Sequence, residues 1–155
     1  MRTINLARAL KEKKRIIARI NEIVGWMGSG NVHYKDEIPN VDLREKYEKL
    51  REYKHQLIEL KEKIAKANAQ SGIALNVYNM EELKAELAIW NRMNTDVTPD
   101  RKRDYETKEV TIREKVAFYS FQDVEDKKKE LREMIEATQD RIDDLNATTF
   151  IEIDF

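Results

Sequence analysis

The chain has 155 residues, a net charge of −1, two histidines and no cysteine. Near-neutral charge gives no reason to expect a polyanion partner, and the lack of Cys removes disulfide frameworks, thiolate metal sites and thiol nucleophiles. With 38% charged residues and only four Gly and two Pro, the composition points to long helices with solvated faces in one helical domain over residues 1–155.

The N-terminus lacks the apolar core of a secretion signal. No apolar run approaches the ~20 residues of a membrane span, so no membrane partner is expected. Absence of Cys suits the cytoplasm, the expected location, but suits any other compartment as well.

The first helix is expected over residues 4–27, with Thr3 as its cap. Leu6, Leu10, Ile17, Ile20, Val24 and Met27 form a heptad stripe broken by Lys13. Gly28, Ser29 and Gly30 end it, and residues 28–41, with His33, Tyr34 and Pro39, form a loop.

Residues 42–68 carry the clearest pattern. Leu43, Tyr47, Leu50, Tyr53, Leu57, Leu60, Ile64 and Ala67 recur at steps of three and four, one stripe of an α-helix. Asp42 is a good N-cap, with Glu45 in capping-box position. Glu45–Lys49, Glu59–Lys63 and Glu62–Lys66 stand at i,i+4 with the acid first, the better orientation. Such a rod, ~39 Å long, needs other helices to cover its stripe.

Residues 69–72 read as a turn, and residues 73–78 as either strand or extended loop. Asn79 with Glu82 opens a third helix over about 80–93, with Leu83, Leu87 and Trp90 on one side. Residues 94–104, which contain Pro99, read as a loop. Residues 105–121 are rich in β-branched and aromatic side chains without helical period, so one or two short strands are expected there. A fourth helix follows over 123–146, striped by Val124, Leu131, Ile135, Ile142 and Leu145. The alternating tail, 148–155, adds an edge strand or packs across a neighbouring subunit.

Candidate chemistry is sparse. Glu52 and His55 have the spacing of a di-iron helix pair, which needs a second such pair, and His33 has Gly30 three before it. Both also point away from the apolar stripe, so no metal site and no cofactor is assigned. The glycine-rich residues 25–30 close a helix and lack the Lys of a phosphate loop. Basic clusters occur at 11–15, 101–103 and 127–129, but acids interleave elsewhere and the overall charge is balanced, which argues against nucleic acid. No nucleophile–base pair is readable, so no catalytic residue is assigned and the chain reads as a non-enzyme.

The densest polar stretch is 101–109. There Arg101, Arg103, Tyr105, Lys108 and Glu109 are candidates for gripping an anionic small molecule such as a nucleotide or phosphate. The competing reading is a charged strand edge guarded against aggregation.

Scattered positions also resemble a family. They are residues 64–68; Leu83, Glu86, Leu87 and Ala88; Arg103, Tyr105, Thr107, Lys108, Glu109 and Val110; and Gln139, Ile142, Leu145, Asn146, Thr148 and Thr149. Together they resemble the uncharacterised septicolysin-labelled family of small helical bacterial and phage-borne proteins, with Ala147 where a Trp is common. The resemblance implies a helical hairpin with a small non-helical insert and supplies no activity.

The expected fold is therefore mainly α: a long antiparallel, coiled-coil-like hairpin or bundle, with a small β element between helices three and four. The stripes and the apolar tail offer more surface than one thin bundle hides, which points to a homo-oligomer. The first functional reading is a non-enzymatic scaffold or adaptor that binds protein through its helices. The alternative is an anionic-ligand binder with its site at 101–109 or at a subunit interface.

Overall fold

The computed structural model describes residues 1–155. The chain is mainly helical, with four helices and two small antiparallel sheets: β1 (Arg2–Asn5), α1 (Leu6–Ser29), α2 (Leu43–Ser71), α3 (Ile73–Asn91), β2 (Asp100–Arg103), β3 (Val110–Arg113), α4 (Phe121–Thr148) and β4 (Phe150–Ile153). No helix is long and apolar enough to cross a membrane. Contacts group the chain into two compact units, residues 1–76 with 141–155, and residues 77–140.

In the first unit the two ends of the chain pair. β1 and β4 run antiparallel, with Arg2 opposite Ile153, Ile4 opposite Ile151 and Asn5 opposite Phe150. Alternation along the strands buries Ile4, Ile151 and Ile153 and turns Thr3 and Glu152 outward. The Leu6 N–H donates to the Thr149 carbonyl at 2.9 Å, and Asn5 Nδ2 donates to the Ala147 carbonyl at 3.2 Å. Asn5 Oδ1 also accepts from the Arg8 N–H at 2.9 Å, so Asn5 caps α1. Thr3, expected as the cap, is in β1 instead, because pairing with the distant tail holds residues 2–5 extended.

α1 and α2 pack on each other, and β4 packs on α2. Ala9, Ile16 and Ile23, seven residues apart, are buried with Leu6 at the head of α1. The inward face is thus turned from the expected stripe: Val24 is 53% exposed, and Lys13 is half-buried within the seam.

α2 buries Leu50, Leu60, Ile64 and Ala67, while Tyr47 is exposed. Asp42 Oδ1 accepts from the Arg44 N–H at 2.9 Å, so it caps α2 as expected. Glu45 pairs with Lys49, whose hydrogen bond and charge hold its carboxyl below the ordinary range. Lys63 and Glu59 pair at 2.6 Å.

α2 runs three residues past the expected end at Asn68 and stops at Gly72, which has a left-handed φ of +81°. α3 starts at the next residue, so Ile73–Tyr78 is helical rather than strand or loop. Ile73 is buried, and Asn76 Nδ2 donates to the Gly72 carbonyl at 2.9 Å. A Cβ at Gly72 would meet no atom within 4 Å, so a side chain there costs backbone strain alone. Gly72→Ala is therefore expected to lower stability by about 1 kcal/mol, read as a shift of the urea midpoint at unchanged slope.

In the second unit α3, whose start at Ile73 lies seven residues before the expected one at 80, continues to Asn91, two residues short of the expected end at 93, and α4 begins at Phe121. Ser120 and Asp123 cap α4 reciprocally. The Ser120 N–H donates to Asp123 Oδ2 at 2.9 Å, and the Asp123 N–H donates to Ser120 Oγ at 3.1 Å. The first of these bonds holds the Asp123 carboxyl below its usual value. Met80, Val124 and Leu131 are buried, with Leu83, Leu87, Trp90 and Ile135 half-buried. The Trp90 and Tyr119 rings meet edge to face at 5.1 Å.

Candidate functional site

The β element is a hairpin placed earlier than the sequence suggests. Its first strand is Asp100–Arg103, within the expected loop, and its second is Val110–Arg113. Residues 114–120, expected as strand, are irregular.

The turn is built by Asp104. Its Oδ1 accepts from the Glu106 N–H at 2.8 Å and the Thr107 N–H at 3.3 Å. These backbone donors hold its carboxyl below the ordinary aspartate value. The Asp104 N–H donates to the Glu109 carbonyl at 2.9 Å and closes the loop. Lys108 takes the left-handed position, φ 58°, that a four-residue hairpin loop needs.

Register places Arg101 opposite Ile112, Lys102 opposite Thr111 and Arg103 opposite Val110. Opposed residues share a face, so Arg101, Arg103, Val110 and Ile112 line one side of the ribbon. Asp100, Lys102, Thr111 and Arg113 line the other. Every residue of both strands is exposed.

Of the five candidate residues, Arg101 and Arg103 thus fall on one face. Tyr105 projects from the turn at 94% exposure, Lys108 holds the left-handed corner, and Glu109 closes the loop through its carbonyl. A nearby concavity of about 870 Å³ is lined by Met93, Asp96, Val97, Lys115, Phe118 and Tyr119 among others, and by none of the five. At its rim Lys115 pairs with Asp100 at 2.8 Å. Asp96 is held below its usual value by hydrogen bonds from Thr98. Glu52 and His55 are both exposed on α2.

α3 also carries a second apolar line. Its inward line is Ile73, Met80 and Leu87. About 200° around the helix stand Leu75, Tyr78 and Ile89, each 63% exposed. With Glu82 and Ala85 between them, they recur at steps of three and four. The spacing is present in the sequence, but a non-helical reading of residues 73–78 hides its first two members.

Comparison with protein-family models, with curated protein sequences and with solved structures finds no match to this chain.

Proposed function

We propose that the chain is a non-enzymatic, self-assembling helical scaffold or adaptor of the cytoplasm, acting through helix-mediated protein contacts. The observation that carries this reading is the outward line of Leu75, Tyr78 and Ile89 on α3. A helix apolar on two opposite sides is ordinarily covered on both. Here one side faces water, and heptad-like spacing makes it a surface for another helix. The seven-residue repeat of Ala9, Ile16 and Ile23 supports coiled-coil-like pairing of α1 with α2 in the same design. Kinship with the septicolysin-labelled helical proteins belongs to this proposal and adds no activity to it.

The alternative reading, capture of an anionic small molecule by Arg101, Arg103, Tyr105, Lys108 and Glu109, has one supporting feature. Arg101 and Arg103 share a ribbon face. The concavity beside the hairpin is lined by none of the five, so this reading stands second.

Sedimentation velocity at micromolar concentration tests the first reading. An oligomer is expected, and the variant carrying Leu75→Glu and Ile89→Glu should shift it toward monomer at unchanged helical content. A wild-type monomer throughout, together with a thermal shift by nucleotide or phosphate that Arg103→Ala abolishes, would replace it with the alternative.

A further inference from the structure

We propose that two copies of the chain join through the free edge of β3, antiparallel about a two-fold axis at Thr111, to form one four-stranded sheet. This rests on the self-assembly reading and gives it a surface.

The bond from the Asp104 N–H to the Glu109 carbonyl fixes the alternation of the ladder. Lys102 faces Thr111 and Asp100 faces Arg113, so Thr111 and Arg113 turn their backbone polar groups toward β2. Val110 and Ile112 then turn theirs away. The sheet ends at β3, and no other backbone group takes up those donors and acceptors. A lone two-stranded ribbon, exposed on both faces, is marginal in water, and two further strands relieve that.

The strand sequence selects the partner. Residues 108–114 read Lys, Glu, Val, Thr, Ile, Arg, Glu. Laid antiparallel on itself about Thr111, Val110 meets the partner's Ile112 and Glu109 meets the partner's Arg113. Each symmetric pair occurs twice, and the charges beside the apolar pairs, Glu109 and Arg113, each meet their opposite. The outward-facing Val110 and Ile112 become the hydrogen-bonded pairs, as the alternation requires.

Moving the axis to Ile112 sets Thr111 against Arg113, and moving it to Val110 sets Glu109 against Thr111. Neither register matches apolar with apolar and acid with base. The other edge is closed to the same use. Pro99 precedes β2 and lacks an N–H, and pairing about Lys102 stacks Lys102 on itself and Arg101 on Arg103. Pairing through β3 uses one edge per chain and leaves two guarded ones, so it stops at two copies.

A charge exchange tests this. Glu109→Arg and Arg113→Glu, each alone, should weaken association by on the order of tenfold in sedimentation equilibrium. An equimolar mixture of the two variants should recover it as a heterodimer, since each then supplies the charge the other lacks, and so should the double variant. As the chain has no Cys, Thr111→Cys should also yield an intermolecular disulfide on mild oxidation where Glu106→Cys does not. Singles that associate as tightly as wild type, or a mixture no tighter than its components, overturn the β3 pairing while leaving helix-mediated assembly intact. A wild-type monomer overturns both.

Discussion

Leu60→Ala is expected to lower the stability of the chain by about 2–5 kcal/mol, with a thermal midpoint roughly 10 °C lower. Ile58→Ala, two residues away, should change it by less than about 0.5 kcal/mol. The two positions share a helix and nearly the same chemistry, and they differ in surroundings. Leu60 is fully buried in the first unit, on the helix that both α1 and β4 pack against. Ile58 is 65% exposed. Removing buried methyl groups forfeits their transfer from water and leaves a cavity that neighbouring helices only partly close. Removing exposed ones forfeits little, and Ala is the better helix former. Paired urea titrations read the contrast. Equal losses at the two sites would mean that the side assigned to the core of α2 is the wrong one.

α2 was legible in the sequence because three independent signals agreed: the stripe, the Asp42 cap and the acid-first ion pairs. Its end was misread because Ala69 and Gln70 look like a turn beside Gly72, although only Gly72 leaves helical geometry. α1 was found, but its inward face was not. Ile16 stands beside Ile17 and Ile23 beside Val24, so two stripes about 100° apart fit the sequence equally well. Packing on α2 decides between them and favours the one that runs through small Ala9.

β1 left no local trace, since its residues are extended only by pairing with a strand nearly the whole chain away. β2 is four polar residues with no periodicity, and only Pro99 before it and Asp104 after it mark a strand with a turn to follow. Residues 73–78 belong to the class that periodicity cannot resolve, short apolar runs, and one glycine decided their state. For the candidate site, strand alternation brings Arg101 and Arg103 to one face. What no spacing rule conveys is whether a cavity forms beside them, because that depends on where unrelated loops run.

Ile153→Asp should be the most damaging single change in the chain, at about 4 kcal/mol or more, and should detach the terminal sheet even where the helices persist. Ile153 is fully buried, opposite Arg2. β4 is held because its alternate residues, Ile151 and Ile153, face inward and its backbone pairs with β1. An aspartate at 153 has no buried cation to meet it, since the first unit's core holds no buried charged residue. The carboxylate can stay hydrated only by peeling the strand away. Once β4 leaves, β1 loses its partner, and the Leu6 N–H loses the Thr149 carbonyl that receives it at the head of α1. Amide exchange at Leu6 should therefore accelerate together with exchange in residues 150–153. Phe150→Asp supplies the comparison: Phe150 is 62% exposed on the same strand, so the same charge there should cost about 0.5 kcal/mol or less. Protection at Leu6 that survives Ile153→Asp would show that α1 holds its own start and that the terminal sheet is an ornament of the fold, not its clasp.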